Sequence, residues 1–436
     1  MNQQTGSVAI IGGGLAGLTA ANYLARAGKR VMLFEKSHVV GGRAVTDENQ
    51  GFRFNLGPHA LYRNGSGVRI LRELGVEFSG SIVGTSGAYA FARGEKHTLP
   101  AGFVSLLTTG LMPLAARLEL ARLLGGISKI NPEPLQRVTV REWLDREIRH
   151  PEVKELLQAV FRVATYTNAP ELQSAGSAIH QLQLSLAGSV YYLNDGWQTL
   201  VDGLRATAEK SGAQIISGQR VAAVERGPQS FLIRTAEAIE YSASVVILAL
   251  SPADAAALVK GEAQRVLNEW AAAAVPVRAA CLDLGLKYLP QPQARFALGI
   301  DTPLYFSVHS AWAKLAPQDG AVIHVAKYLP PDSADDPKKI EQEMEALTDL
   351  MQPGWRDIVA ARRFLPKMTV TNAIVTAAQG GLAGRPGPEV PGCEGLYVAG
   401  DWVGADGQLA DASLSSAKRA AELVTQHENA YSVAAA

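Results

Sequence analysis

Cysteine is scarce in this sequence. Its two cysteines, Cys281 and Cys393, lie far apart, and neither belongs to a C-x-x-C pair. This scarcity excludes a disulfide framework and a cysteine-based zinc site. The eight histidines are scattered, and none falls in an H-E-x-x-H pattern. We therefore expect no metal ion.

Neither sign of charge predominates, because 41 lysines and arginines balance 41 aspartates and glutamates. The balance argues against a nucleic-acid partner and against an electrostatic membrane anchor. A hydrophobic content of 47% in 436 residues is enough for large buried cores. A chain of this length is expected to form two or three lobes.

Long apolar runs are also missing. A membrane-spanning helix needs about 18 uninterrupted apolar residues, and the nearest candidate, residues 103–124, is broken by Pro113, Arg117, Glu119 and Arg122. The first residues, MNQQTGS, contain no apolar segment that ends in a small-residue cleavage site. We expect a cytoplasmic protein, and peripheral contact with a membrane is the alternative left open.

The most informative segment that is present lies near the start. Residues 8–11 form a short β-branched apolar run, which is followed by Gly12, Gly14 and Gly17 in the order G-x-G-x-x-G. Gly12 permits a tight turn, Gly14 lets a pyrophosphate approach the backbone, and Gly17 lets the next helix lie close to the strand. The motif therefore predicts a bound dinucleotide.

A helix and a second strand continue this pattern. Leu15 and Ala16 begin the helix, whose free N–H groups and positive dipole end would bind the phosphates. The strand that follows ends at Glu35, with Lys36 next to it. A carboxylate at this position accepts hydrogen bonds from the adenosine ribose and disfavours a 2′-phosphate.

The next residues distinguish a flavin from a nicotinamide. Gly41, Gly42 and Arg43, with Thr46 and Phe52 beyond them, resemble the second half of the extended motif of the flavin amine oxidase and phytoene desaturase superfamily. The resemblance is nearer to the phytoene-desaturase-like branch. It implies noncovalent FAD, with glycine backbone passing against the cofactor and Arg43 placing positive charge near its phosphates.

The same resemblance implies an α/β fold with a discontinuous, Rossmann-like FAD-binding domain and a mixed sheet-plus-helical substrate domain. The FAD-binding domain is expected at 1–75, 195–260 and 385–430. The substrate domain is expected at 76–194, its helical lobe, and 261–384, and residues 431–436 are expected to form a flexible tail.

Three residues that follow the glycine motif are expected beside the flavin ring. Gly57 would give backbone room for the isoalloxazine, and Pro58 follows it in the turn. His59 could orient substrate or move a proton at the flavin face. An ordinary structural histidine is the alternative for His59.

Other parts of the cofactor site are implied farther along the chain. The backbone of Val221 would contact the adenine. Near the end of the chain, Gly400 and Asp401 resemble the C-terminal flavin motif of the family, and Asp401 would accept a hydrogen bond from a ribityl hydroxyl. The helix N-terminus near Ala412 and Ser413 would direct its dipole at flavin N1 and the C2 carbonyl.

A flavin of this class accepts hydride at N5. The sequence contains no second G-x-G-x-x-G motif after a strand, so electrons would pass to oxygen, a quinone or back to the substrate. Three functions remain open: a desaturase or isomerase of a small apolar molecule such as an isoprenoid or polyene, an amine oxidase that uses oxygen, and a non-catalytic flavin-binding protein. The absence of aromatic residues between Phe364 and Tyr397 counts against an amine substrate.

Two further features leave alternatives open. Lys287 follows a strand-like segment where oxidases of this superfamily carry a lysine bonded through water to N5, and an ordinary strand-end lysine is the alternative. Residues 103–116 carry little charge, so they could line a tunnel, rest on lipid or form buried core. The oligomeric state is left open.

Overall fold

The computed structural model of the protein describes residues 7–434. Within that range its strands are β1 Ser7–Ile11, β2 Arg30–Glu35, β3 Thr46–Asn49, β4 Phe52–Asn55, β5 Leu61–Tyr62, β6 Gly80–Ile82, β7 Ala88–Ala92, β8 Glu95–Thr98, β9 Val190–Leu193, β10 Gln214–Ser217, β11 Val221–Arg226, β12 Phe231–Thr235, β13 Glu240–Ala243, β14 Val245–Leu248, β15 Val277–Leu286, β16 Phe296–Gly299, β17 Leu304–Val308, β18 Ala321–Leu329, β19 Val359–Thr371 and β20 Leu396–Val398. Its α-helices are α1 Leu15–Arg26, α2 Ser66–Glu73, α3 Phe103–Thr108, α4 Leu114–Gly126, α5 Val140–Glu147, α6 Pro151–Thr165, α7 Ala175–Gly188, α8 Gln198–Lys210, α9 Pro252–Leu258, α10 Glu262–Ala273, α11 Pro337–Met351 and α12 Leu409–Ala434.

Strand β1 is the centre of a five-stranded parallel sheet in the order β10, β2, β1, β14, β20. Every residue of β1 is buried, as its apolar composition predicts for a strand that is covered on both faces. Helices α1, α8 and α12 cover one face. The β11–β12–β13 meander and helices α9 and α10 cover the other face. Strands from three distant stretches of chain thus form one sheet, and the α/β fold class is confirmed.

A second sheet has seven strands in the order β19, β15, β18, β17, β16, β7, β8. Its pairs are antiparallel except for β16 with β7. Alternate residues of β15 point to opposite faces. Leu282 and Leu284 pack in the cluster that includes helix α11, whereas helices α4 to α7 cover the opposite face. On β15, this opposite face carries Ala279, Cys281 and Asp283.

The last helix is longer than the sequence pattern indicates. Helix α12 continues to Ala434, into the segment expected to be a tail, and residues 435 and 436 lie outside the described part of the chain. No helix within residues 7–434 combines the length and the apolar character that crossing a bilayer requires.

Candidate functional site

A cavity of about 400 Å³ lies at the carboxyl ends of β1 and β2, between the parallel sheet and the seven-stranded sheet. Ligands of doubly wound folds bind at this edge. We call one part of its wall the dinucleotide end, which is lined by Gly12, Gly14, Leu15, Ala16, Glu35, Lys36, Gly41, Gly42, Arg43, Ala249, Leu250, Ser251 and Asp254. We call another part the distal end, which is lined by Leu56, Ala60, Leu61, Tyr62, Tyr166, Ala279 and Met368. Between the two parts the wall includes Pro58, His59, Trp197, Gly400, Asp401, Asp411 and Ser413.

The glycines of the first motif have different surroundings. Gly12 has a φ of +109°, and a Cβ added there would collide with the carbonyl oxygen of Ala249. A Cβ on Gly17 would collide with the carbonyl oxygen of Gly12, so Gly17 serves helix packing and does not line the cavity. A Cβ on Gly14 would meet only the carbonyl oxygen of Gly41, at 3.9 Å, because it would stand in the cavity. This open space, beside the first turn of α1, fits a pyrophosphate.

Glu35 lies at the end of β2, where its carboxylate closes the turn. The N–H of Gly13 donates to Oε2 at 2.7 Å, and the N–H of Ser37 donates to Oε1 at 2.9 Å. These bonds hold the carboxylate at the cavity wall. Carboxylate oxygens can accept further hydrogen bonds, so this geometry fits the expected contact with ribose hydroxyls.

The second glycine pair carries Arg43 to the opposite wall. Gly41 and Gly42 both have positive φ, at +129° and +56°, which favours glycine at each position. Arg43 then forms an ion pair with Asp401, with 2.7 Å between Nη1 and Oδ2. Asn372 donates its backbone N–H and its Nδ2 to the same carboxylate. The ion pair joins the first and last motifs, and Asn372 is a contributor that the sequence analysis missed.

His59 lies at the cavity wall with both ring nitrogens near backbone oxygens. Nδ1 is 3.0 Å from the carbonyl oxygen of Gly57, and Nε2 is 3.1 Å from that of Arg43. The ring packs edge-to-face on Trp197. Burial lowers the pKa of His59 to about 4, so the imidazole is neutral at pH 7. In this arrangement His59 joins the Arg43 turn to the Gly57 turn.

The first turn of α12 presents a carboxylate that the sequence analysis did not include. Asp411 lines the cavity and is buried. Its Oδ1 accepts the N–H of Gly67 at 2.7 Å, and its Oδ2 has no hydrogen-bond partner among the described residues. Burial raises the pKa of Asp411 to about 6. An acidic residue in the first turn of the last helix was the available signal.

The distal end consists of side chains from distant elements. Tyr62 donates its OH to the carbonyl oxygen of Ala164 at 2.8 Å, and Tyr166 donates to that of Pro58 at 2.7 Å. Strands β15 and β19 contribute Ala279 and Met368. These residues have no common sequence motif, and the sequence analysis named none of them.

Several predicted residues do not line the cavity. Gly57 has a φ of +78° and its α-carbon faces Met368, while Val221 and Ala412 are buried behind the wall. Contact of the Val221 backbone with an adenine stays a prediction. Lys287 also lies outside the cavity wall: it is exposed just beyond β15, at the end opposite to Ala279, and its role near N5 stays a prediction. This position fits the alternative given for Lys287, an ordinary lysine at the end of a strand.

A buried polar cluster lies behind the cavity, on the same face of β15 as Ala279. The cluster contains Cys281, Asp283 and His324. Each offers one potential metal-ligand atom, and these atoms all lie within 4.8 Å of one another. His324 Nδ1 is 2.5 Å from Asp283 Oδ1, and Arg363 donates to Oδ2 from Nε and Nη2. Burial alone would raise the pKa of Asp283, but His324 and Arg363 hold it below its usual value. The carboxylate thus has its charge and hydrogen bonds satisfied by protein groups.

Comparisons with known proteins agree with this geometry. The model of the family described as flavin containing amine oxidoreductase matches residues 15–425. A phytoene dehydrogenase of Streptomyces griseus is 27% identical over 50% of this chain and 49% of its own length. A carotenoid 3,4-desaturase of Haloarcula japonica is 55% identical over 12% of this chain and 10% of its own length. The chain thus spans about half or less of the length of these curated relatives.

A solved structure shows the same fold across the chain. An oxidoreductase from Methanosarcina mazei superposes with a TM-score of 0.76 and 19% identity, covering 96% of this chain and 100% of that one. The family match includes the Gly41–Gly42 pair and the C-terminal motif. The chain therefore belongs to the flavin-containing amine oxidoreductase family, and its cofactor is FAD.

Proposed function

We propose that this protein is an FAD-dependent oxidoreductase that removes hydride from a C–H bond of a small apolar molecule, such as an isoprenoid or polyene, as a desaturase or isomerase. FAD, when bound, supplies the hydride acceptor. One observation carries the choice of substrate: the distal end is formed by aliphatic side chains and two phenols, and none of its residues is charged at pH 7. An amine would find no charged partner among these seven residues, since the Asp411 carboxylate lies outside them, in the wall between the two ends.

The residues of this chain would act by binding and positioning. The first turn of α1 and the Gly41–Gly42 backbone would hold the phosphates, and Glu35 would hold the ribose. Tyr166, fixed to the carbonyl oxygen of Pro58, would present its ring to the substrate and exclude water from the reacting carbon. In a desaturase the electrons would leave to oxygen or a quinone, and in an isomerase they would return to the substrate. The domain boundaries at 1–75, 195–260 and 385–430 belong to the same proposal.

Anaerobic reduction of the FAD-loaded protein tests this function. We expect an acyclic isoprenoid hydrocarbon to bleach the flavin absorbance and a primary alkylamine to leave it unchanged. Addition of oxygen or of a quinone afterwards identifies the acceptor. Bleaching by the amine alone would favour the amine oxidase alternative. Retained FAD that no substrate class reduces would favour the non-catalytic alternative.

We also propose that helices α3 and α4 touch a membrane from which an apolar substrate is taken. Five large side chains are exposed on this segment: Phe103 by 78%, Val104 by 71%, Leu107 by 54%, Leu114 by 64% and Leu118 by 64%. Charged residues are absent from 99–116. Such a face suits the interfacial region of a bilayer. Co-sedimentation with lipid vesicles should be lost in the double variant Phe103→Asp and Leu107→Asp, and binding that persists would contradict the proposal.

A further inference from the structure

Arg162 is a buried cation without an acidic partner in the described part of the chain. It lies on α6 and is 9% exposed. Its Nη2 donates to the carbonyl oxygens of Gly299 and Ile300 at 3.1 and 3.3 Å. No carboxylate of residues 7–427 forms an ion pair with it, and burial lowers its pKa. Two carbonyl dipoles do not neutralise a whole charge, and a buried charge is unfavourable unless it is paired.

Tyr328, beside Arg162, has a buried hydroxyl that forms no hydrogen bond with the described residues. It is 1% exposed, and its OH has no hydrogen-bond partner among the described residues. Burial raises the pKa of this phenol, and the positive charge of Arg162 opposes that increase. A buried hydroxyl without a partner loses the hydrogen bonds that water would have made. Both groups can donate, and both lack an acceptor that carries negative charge.

The position of this pair connects it to the cavity. Arg162 lies in the last turn of α6, and Tyr166 directly follows that helix. Tyr328 is opposite Ala279 in the β15–β18 pair, and Ala279 lines the distal end. The Tyr166 ring lines the distal end and packs on Tyr328, with 5.9 Å between ring centroids. Tyr166 has a φ of +60°, which is unusual for a residue other than glycine. Its ring therefore lies between the cavity and the Tyr328 side chain.

We propose that the substrate carries a carboxylate at one end of its apolar body, and that Arg162 and Tyr328 bind this carboxylate. The proposal rests on the proposed function, because it places the apolar body in the distal end. A guanidinium matches the planar geometry of a carboxylate. One cation and one hydroxyl suit a single negative charge, whereas a phosphate dianion would call for further cations. Entry of the carboxylate requires the Tyr166 ring to turn aside.

A titration of the FAD-loaded protein with dodecanoate and with dodecanol tests this site. The two probes share an apolar chain and differ in charge, and the perturbation of the flavin absorbance reports binding. We expect dodecanoate to bind at least about tenfold tighter than dodecanol, as a charge-assisted hydrogen bond to a buried partner provides. Arg162→Gln should reduce this ratio to about one. Tyr328→Phe should reduce it severalfold, and Arg162→Lys should restore part of it.

Arg141→Gln is the matched control, because Arg141 is an exposed arginine of the same lobe that pairs with Glu171. It should leave the ratio unchanged. Equal affinities of the two probes for the wild-type protein would overturn the proposal. So would an Arg162→Gln protein that melts earlier but keeps the wild-type ratio, since Arg162 would then only support the Gly299 turn. If Arg162→Gln does not fold, Tyr328→Phe gives the same decision.

The failure of this site and the failure of the proposed function can be distinguished. Flavin that no polyene reduces, in a protein that still prefers dodecanoate, would remove the proposed function and keep the carboxylate site. Reduction by a hydrocarbon, without any preference for dodecanoate, would remove the carboxylate site alone.

Discussion

The dinucleotide end and the distal end of the cavity are constructed differently. At the dinucleotide end the protein contributes backbone: Gly12, Gly14 and the Gly41–Gly42 pair line the cavity and leave space beside the first turn of α1. At the distal end it contributes side chains, such as Tyr166 from a helix end and Met368 from a strand. Backbone geometry of this kind needs particular residues at fixed spacing, whereas a side-chain wall needs only matching volumes. The first kind of site therefore leaves a readable motif, and the second does not.

The largest effect should come from filling the dinucleotide end. Gly14→Val would place a branched side chain in the open space that the cofactor phosphates need, so we expect FAD retention to be lost. The flavin absorbance of the purified protein measures this. Gly125→Val is the control, because Gly125, like Gly14, lacks a positive φ, is exposed on α4 and has nothing within 4 Å of its added Cβ. A Gly14→Val protein that keeps FAD would show that the phosphates lie elsewhere.

The second effect concerns the buried polar cluster behind the cavity. Arg363→Met would leave Oδ2 of the fully buried Asp283 without the two hydrogen bonds that Arg363 donates. Breaking a buried ion pair in this way costs about 3–5 kcal/mol, which urea unfolding can measure. The control is Arg265→Met, whose exposed pair with Glu269 should cost less than about 1 kcal/mol. Equal losses in the two variants would contradict a special role for the buried cluster.

The third effect concerns His59, between the two ends. In the apoprotein burial lowers its pKa from 6.5 to about 4. Between these pH values the unfolded chain binds a proton that the folded protein does not. The free energy of unfolding therefore has its full value above pH 6.5 and decreases as the pH falls toward 4. The loss is about 1.4 kcal/mol for each pH unit.

His59→Gln removes this titration and keeps a donor for one of the two carbonyl groups. We expect its urea midpoint to depend less steeply on pH than that of the wild-type apoprotein in this interval. His324→Gln is a useful comparison in the cluster behind the cavity, because it changes a histidine that does not line the wall. Identical slopes for His59→Gln and the wild type would mean that His59 is already accessible to protons.

The smallest effect should be that of Lys287→Met. Lys287 is exposed and lies outside the wall of the cavity. We expect the rate of flavin reoxidation by oxygen to stay within about twofold of the wild-type rate, since the residue is too far away to touch the reacting atoms. Stopped-flow absorbance provides the measurement. A large decrease would return this lysine to the site.

The same difference between backbone and side chains explains what sequence reasoning achieved. The first strand, the glycine turn, Glu35 and the second glycine pair depend on local rules, and they indicated the family, the fold class and FAD. Asn372 and Tyr166 reach the wall only because distant elements pack together, and no local pattern marks them. Asp411 carries a local signal, as an acidic residue in the first turn of a helix, but that signal does not say that the helix end faces the cavity. Lys287 illustrates the opposite case, a residue that a local pattern marked but that the sheet places outside the wall. Its strand was recognised, but which end of the strand faces the cavity depends on the sheet.

The ion pair between Arg43 and Asp401 has a consequence for the order of assembly. Gly400 and Asp401, which follow β20, and the first turn of α12 come after the other parts of the cavity wall in the chain. Early segments of a nascent chain can begin to fold during translation. The part of the wall that Arg43 and Asp401 form together, however, exists only after both segments have been synthesised and have met. FAD capture would therefore report this long-range closure of the chain.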